Sequence, residues 1–519
     1  MTDVILIGAG HNGLVCAADL ARAGRKVLVL EAAPQVGGAA ITREFAPGFR
    51  VSAGAHLLYG LDAGIRADLA LDRHGLEFSN AALRTVALAE QGAPLILDGA
   101  AVVSGELSAA DRAALATFWS RLLRFAGVLG QQHGRTPPRL AWTSVADAWP
   151  AAQLALDIRR LGRDDMREFL RIAAINIFDV LEEQFTSAQL KGVFALDAVL
   201  GTRAGPRSGN TVLSLLHRLS GQIDGRAAAL AQPKGGMGAV TTALAAAARA
   251  AGAEIRTSTA VTAIRLQGDR VVGVRLAGGE EIDAAVVVSN ADPKTTLLGL
   301  LGGRHLEAGF ARRIDNVRAI GTAAKLHLAL TGLPAFRGLP PAHLGDRLLL
   351  APDPDYVERA FNHAKYREHS VAPVMEITVP TISDASLAPQ GGHVLSAIVQ
   401  YAPSDLAGGW EAAKPRFQEL VLATLERYAP GIRQLVRATE LLTPADLAAQ
   451  FGMHGGHWHH GELALDQMLM LRPVPGAAQY AQPVNGLYLC GAGAHPGGGV
   501  MGHAGRNAAR AVLASESPR

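Results

Sequence analysis

The first 31 residues constrain this chain more than any other part of it. Val4 to Ile7 is an unbroken apolar run, and so is Val27 to Leu30. Continuous apolarity over so short a stretch is what a strand buried on both faces requires. Between the runs stand Gly8-Ala9-Gly10-His11-Asn12-Gly13 and an Ala/Leu-rich segment, Leu14 to Ala23, that reads as a helix closed by Gly24. Gly8 permits the tight turn, Gly10 lets a pyrophosphate approach the backbone, and Gly13 lets helix and strand pack closely. The amides at the helix start can then hold phosphate. Glu31 follows Gly13 by 18 residues, at the end of the second strand, where a carboxylate reaches ribose hydroxyls. A lone GxGxxG is a weak signal, but with both strands, the helix and the acid it predicts a dinucleotide site.

A second glycine pair, Gly37-Gly38, soon follows the acid. Its backbone would pass close to the pyrophosphate. Such a pair is typical of enzymes that bind FAD, and nicotinamide dehydrogenases have no need of it.

Composition narrows the class. The chain has 519 residues, enough for two large domains or about three of ordinary size. It is 49% hydrophobic and 18% charged, so it can bury a large core. A net charge of +3 is too balanced for a nucleic-acid binder. Cys16 and Cys490 are the only cysteines. They form no CxxC and no zinc spacing, which argues against a disulfide framework and excludes a reductase with an adjacent redox cysteine pair. No apolar run approaches the roughly 20 residues of a membrane span. The first motif begins at Asp3, leaving no room for an ordinary signal peptide, so a cytoplasmic protein is expected.

Downstream, residues 100 to 230 read as mainly helical. Phe118, Leu122, Phe125 and Leu129 mark one face, and Phe169, Ile172, Ala173, Asn176, Ile177 and Val180 mark another. Core packing explains both faces. Arg121 and Arg124 beside Trp119 and Phe125 also permit a peripheral membrane contact. The glycine-rich loop Pro233 to Gly238 precedes an Ala-rich helix. Strands are expected at Glu254 to Ile264, Val271 to Leu276, Ala285 to Ser289, Ala324 to Leu330 and His393 to Tyr401. The chain ends as it began: a short strand, Leu487 to Cys490, then Gly491-Ala492-Gly493 and His495 to Gly499, then a helix from Met501 to Leu513. That helix start would place backbone amides, with Met501 and Gly502 foremost, on the pyrimidine edge of a flavin and stabilise negative charge there.

GAGHNG with Glu31 and Gly37-Gly38, the Pro233 to Gly238 loop, and the closing GLYLCGAGAHPGGGVMGHAGRNAA together resemble the phytoene-desaturase and flavin-amine-oxidase superfamily. Within it, HNGLVCAADLARAG, the Leu465 to Gly476 stretch and HPGGGVMG are most similar to the pyridine nucleotide-disulfide oxidoreductase domain-containing protein 2 branch. The resemblance runs from about residue 3 to residue 513. It implies an α/β chain with a discontinuous Rossmann-like FAD-binding domain of the amine-oxidase type, made of residues 1–100, 231–300 and 451–519. A mixed α+β substrate domain would comprise 101–230 and 301–450.

The residues expected at FAD are Gly8, Gly10, Asn12 and Gly13 from the first turn, then Glu31, Ala32, Gly38 and Ala39. Gly491, Val500, Met501 and Gly502 are expected from the closing motif. The resemblance adds Val261, whose backbone would contact the adenine. The chain departs from some relatives in having Ala39 and Ala40 where they place an arginine, and Ser52 where they carry an acid. The resemblance also nominates two catalytic candidates. Lys325 resembles a lysine that holds a water beside the flavin in amine oxidases, where it can move a proton. His56 follows a loop that approaches the flavin ring in relatives. A surface lysine and a structural histidine are the alternatives. His454, His457, His459 and His460 favour an active-site or surface loop over a metal centre, because Gly455 and Gly456 loosen the segment and no acidic partner has a fixed spacing. No metal is expected. Glu462 and Asp466 read as caps or solvated carboxylates.

The expected activity is an FAD-dependent oxidoreductase that removes a hydride from a C–H bond of an apolar small molecule, with O2 or a quinone as acceptor. An amine-type oxidase using O2, a redox-neutral isomerase, and a flavoprotein with a binding or regulatory role are the alternatives. No second dinucleotide fingerprint supports an NAD(P)H site.

Overall fold

The computed structural model describes residues 2–139 and 145–516. The opening pattern forms as expected. Val4–Ile7 and Val27–Leu30 are parallel neighbours in register from Val4↔Val27 to Ile7↔Leu30. They belong to a five-stranded parallel sheet in the order Glu254–Arg256, Val27–Leu30, Val4–Ile7, Val286–Ser289, Leu487–Leu489. Three distant stretches of chain therefore supply one sheet. Its apolar core draws on residues 4–76, 223–317 and 474–512. Parallel neighbours need crossover connections, and the helices His11–Arg22 and Gly238–Ala250 cover the sheet as such elements must.

A second, eight-stranded sheet carries the order Val436–Leu442, Ala323–Leu330, His393–Gln400, Val374–Thr378, Arg347–Leu350, Thr85–Ala87, Leu95–Asp98, Ala101–Ser104. All its pairings are antiparallel except Arg347–Leu350 beside Thr85–Ala87. Two of its strands, Thr85–Ala87 and Leu95–Asp98, precede residue 100, and Leu463 and Met468 pack with the helices beside it. Those helices are Ala109–His133, Val145–Arg160, Arg163–Ile172, Ile177–Gln184, Ala188–Val199 and Thr211–Leu219. They lie against one face, and Trp410–Tyr428 covers the other.

Several boundaries differ from the sequence reading, each for a local reason. The apolar face from Phe169 to Val180 belongs to two helices, because the Asn176 side chain accepts the Asp179 N–H at 2.9 Å and starts a new one. The run from Glu254 to Ile264 splits into Glu254–Arg256 and Val261–Gln267, with Ser258 at φ +53° between them. There the Ser258 and Thr259 amides donate to the carbonyls of Ala33 and Glu31, which brings Val261 to the edge of the first sheet. The last helix begins at His503 rather than Met501, since Gly502 sits at φ +84°.

Gly13 is fixed by packing. A Cβ there would lie 2.3 Å from the Gly8 carbonyl oxygen, so the helix could not seat against the turn. Gly13→Ala is expected to destabilise the protein by about 1–3 kcal/mol. Gly127→Ala, at an exposed mid-helix position with open space around its Cβ, should stabilise by up to about 1 kcal/mol. Thermal denaturation of the two variants checks both signs.

Candidate functional site

The two glycine motifs meet. The Gly37 N–H donates to the Ala9 carbonyl at 2.9 Å, and Gly10 bridges to Gly37. Gly37 and Gly38 both lie at positive φ, +126° and +57°, so the second loop can double back over the first. Glu31 braces the arrangement: one carboxylate oxygen accepts the Ala9 N–H at 2.6 Å, the other the Ala33 N–H at 2.9 Å. The helix behind the turn carries no acidic residue in its first turn, and its opening amides lack intrahelical acceptors. This is an anion-binding helix start.

A cavity of about 340 Å³ opens over this turn and runs to the eight-stranded sheet. Its wall includes the expected Gly8, Gly10, Asn12, Glu31, Ala32, Gly38, Ala39, Val261, Val500 and His56. Gly13, Gly491, Met501, Gly502 and Lys325 stand behind the wall instead. A Cβ on Gly491 would meet the Asn290 carbonyl at 2.4 Å, and Gly502 packs on Ile65 and Val15. Met501 lies against Gly60 and Gly499, and its carbonyl accepts the Asp62 N–H at 3.2 Å.

Lys325 reaches the site through strand geometry. On Ala323–Leu330 the even-numbered side chains pack into the apolar layer under Trp410–Tyr428. The odd-numbered set, with Lys325 and His327, faces the other way. Lys325 pairs in register with Ile398, and Ile398 with Glu376 on the next strand. Lysine, isoleucine and glutamate thus form one row across three strands. Lys325 is 2% exposed and its Nζ hydrogen-bonds to His56 Nδ1. Burial pulls its ammonium down to about 7, against the opposing charge of Glu376. Burial, then the charges of Lys325, Arg218 and Arg347, push His56 well below its usual range. Neutral His56 therefore accepts the Lys325 proton at Nδ1, and its Nε2 is buried without a partner.

Behind this pair lies an ion cluster that the sequence reading missed. Glu376 accepts from Arg218 and from Arg347, each at 2.5 Å. Asp197 takes the other side, 3.1 Å from Arg218 Nε and paired with Arg347. Burial opposes ionisation of Glu376, but the two guanidinium groups hold its carboxyl below the usual range. The available signal was a charge inside an apolar strand run, Val374-Met375-Glu376-Ile377.

The histidine segment divides. His459 and His460 line the cavity, His457 is buried against Glu462 at 3.3 Å, and His454 is exposed. Among the described residues no group of histidine, cysteine or carboxylate side chains has metal-site geometry. Glu462 is no solvated carboxylate: it also receives the Arg203 N–H at 3.2 Å. Asp466 pairs with Arg318 at the surface. Arg472, also missed, is buried and donates to the carbonyls of Ala492, Glu462, Gln467, His459 and Gly461, so it holds the histidine loop against the closing glycine motif. It lies within the Leu465 to Gly476 stretch that carried the branch resemblance. Cys16 and Cys490 are free and buried. A hydrogen bond to Cys490, then burial, raise the Cys16 thiol, so it stays protonated and is no redox nucleophile.

A family model described as flavin containing amine oxidoreductase matches residues 13–513. The chain belongs to that family. It is 36% identical to pyridine nucleotide-disulfide oxidoreductase domain-containing protein 2 of Rattus norvegicus, over 98% of this chain and 93% of the relative. It is 27% identical to a lycopene-forming phytoene desaturase of Paracoccus, over 59% of this chain and 58% of that one. Putrescine oxidase, solved with putrescine bound, shares the fold: TM-score 0.60 at 16% identity, covering 99% of this chain and 98% of that one. The protein is an FAD-dependent oxidoreductase with a Rossmann-like FAD domain.

The residues present fit FAD. The glycine cradle leaves no room for side chains: a Cβ on Gly10 would stand 2.5 Å from Asn290 Nδ2. Four imidazole nitrogens at the cavity, on His11, His56, His459 and His460, are buried without partners, as a polar occupant would require. Glu31→Ala combined with Gly10→Val is expected to yield protein without the visible absorbance of bound flavin. Full flavin content after purification would count against this cradle. Lys325 makes a separate prediction. Its ammonium is depressed on folding, so between about pH 7 and pH 10.5 the unfolded chain binds the extra proton and stability rises with pH. Relative to Lys325→Met, wild type should gain about 1 kcal/mol per pH unit above pH 7 in urea denaturation.

Proposed function

We propose that this flavoprotein is a dehydrogenase of the desaturase kind, taking a hydride from a C–H bond of an apolar small molecule. The observation that carries the reading is the state of the cavity's acids. A buried substrate ammonium is most strongly held by a carboxylate that no other cation has paired. The wall holds two carboxylates, Glu31 and Glu376. The first is engaged by backbone amides and the second is neutralised by Arg218 and Arg347. The sheet end of the wall carries the apolar Leu200, Ile398, Leu447, Phe451, Met453 and Trp458 beside His56, Tyr59, Arg218, His459 and His460.

A second cavity of about 330 Å³ lies between helices and sheet and shares Arg218 with the first; its wall mixes Trp119, Leu123, Val193 and Phe194 with Asp98, Asp197, Arg226 and Arg347, so it adds nothing to the apolar reading. The likeness to phytoene desaturase supports the same class. Bound FAD supplies the hydride acceptor, and the protein positions and shields it. Lys325 and His56 hold the proton at the sheet end of the cavity: Lys325, at about 7, takes it from or returns it to His56 Nδ1. Arg218, Glu376, Arg347 and Asp197 fix that wall without adding net charge.

No described helix is long and apolar enough to cross a membrane. Trp149 and Leu156, seven residues apart on one helix, and Leu170 on the next are 65%, 45% and 61% exposed. With Arg159 and Arg160 in the last turn of that first helix they support a peripheral membrane contact, which suits delivery of an apolar substrate. The test photoreduces the protein anaerobically and then mixes it with O2 or a soluble quinone. Fast reoxidation by quinone and slow reoxidation by O2 is the expected result, followed by bleaching of the flavin by apolar candidates. Rapid reaction with O2 would favour the amine-type oxidase instead.

A further inference from the structure

The second cavity, at about 330 Å³, is as roomy as the first. Protein interiors leave few voids larger than a water molecule, and a space of this size is characteristic of a small-molecule site. Its rim is the Asp98-Gly99-Ala100 turn facing the exposed Arg226 and Ala227. Trp119 leans over that turn: a Cβ on Gly99 would stand 3.3 Å from the indole Nε1. Leu123, Val193 and Phe194 supply apolar wall from the helices Ala109–His133 and Ala188–Val199. Asp197, Arg218 and Arg347 close the inner end, where Arg218 also lines the flavin cavity.

The polar groups of this wall are unevenly engaged. Both of its carboxylates are taken. Asp197 receives Arg218 Nε at 3.1 Å and pairs with Arg347. Asp98 pairs with Arg226 at the rim, with Arg84 Nε 3.9 Å away. Donors remain. Arg218 spends Nε on Asp197 and Nη2 on Glu376, and its Nη1 has no hydrogen-bond partner among the described residues. The Trp119 indole N–H has none either, and neither nitrogen is sealed in by protein atoms. An apolar wall with spare donors and no unpaired carboxylate fits an apolar body that carries an acceptor oxygen. An ammonium would find no acid to pair with, and a plain hydrocarbon would leave the donors unmatched. The ion cluster fits the same account. Buried ion pairs add little stability over apolar side chains of similar volume, but these hold one guanidinium still with an edge left open.

We propose that the second cavity is a ligand site, separate from the flavin cavity, for an apolar small molecule ending in a carbonyl or carboxylate oxygen that Arg218 and Trp119 hold. A quinone and a medium-chain fatty carboxylate share that chemistry. A quinone in this place would be the electron acceptor. Two electrons and one proton from the reduced flavin, with one proton from solvent, convert it to the hydroquinone and return the flavin to its oxidised form. A fatty carboxylate would leave the flavin unchanged.

The test titrates the oxidised, flavin-loaded protein by isothermal calorimetry with duroquinone, octanoate and octylamine. Duroquinone or octanoate should bind once per chain, and octylamine at least about tenfold more weakly. Leu123 lines the second cavity and not the first, so Leu123→Cys gives a means of blocking it. Benzyl methanethiosulfonate caps the new thiol, while Cys16 and Cys490 are buried out of reach. The benzyl cap should weaken binding at least about tenfold, and dithiothreitol should restore it, which separates a blocked cavity from a misfolded variant. Trp119→Phe keeps a ring beside Phe194 and should weaken binding about three- to tenfold through the lost N–H. Binding of duroquinone and not octanoate marks the acceptor site, and the reverse marks a carboxylate site. No binding of either, octylamine bound as tightly, or binding that the benzyl cap leaves unchanged would overturn the proposal. No turnover is read, so these outcomes are independent of whether the substrate is apolar.

Discussion

The structure depends on how closely the first helix approaches its neighbours. Gly13 allows that helix to touch the turn at Gly8, and Gly505 allows the closing helix to touch the same first turn, where a Cβ would meet the Asn12 carbonyl at 2.0 Å. Asn290, at the end of Val286–Ser289, fills the space over Gly10. Beginning, middle and end of the chain are thus fastened around one helix start. Side chains at any of these glycines would push the segments apart and close the space over the free amides. A single steric condition therefore sets both the assembly of the discontinuous domain and its capacity to hold an anion.

Electrostatics at the other end of the cavity follow from burial. Charges there are either cancelled or solvated by backbone. Arg347 and Arg218 are matched by Asp197 and Glu376, since an isolated buried charge would be too costly. Arg472 has no such match and is surrounded by carbonyl oxygens instead, and burial draws it down to about 10. The guanidinium fork can bind several carbonyls in fixed directions, which explains an arginine where a lysine would leave acceptors unfilled.

The parts of this architecture legible in sequence are those with a local rule. The glycine turn, its flanking apolar runs and Glu31 are contiguous, and each has a steric or hydrogen-bonding reason that needs no partner elsewhere. Lys325 was nominated by resemblance, and its burial in an apolar strand row supplies the physical cause. Lining by Val261 followed from resemblance, and the turn at Ser258 supplies its physical cause. The ion cluster was hidden because its four members lie far apart in sequence and become neighbours only through sheet pairing and helix packing. The segment around His457 looked like a cluster in sequence, but its members part company in the fold. The helix boundaries at Asn176 and Gly502 depend on one side-chain cap and one backbone dihedral, which an apolar periodicity cannot register.

The division also explains why cofactor class reads more sharply than substrate. The cradle is made of backbone and of absent side chains, so its requirements are strict and recur at fixed spacing. The substrate end is made of side chains from several helices and strands, and apolar shape can be filled in many ways. What survives there as a firm constraint is charge. With Glu376 held ionised by its arginines and the wall histidines held neutral by burial, Lys325 is the buried group brought to about 7. Near neutral pH the charge at the sheet end of the cavity therefore turns on one ammonium. A proton gained or lost at Lys325 changes the field on whatever lies against His56 far more than it would at a surface lysine, because little water is present to screen it. The lysine's strand position, one residue in an otherwise apolar register, is what converts a common side chain into that control point.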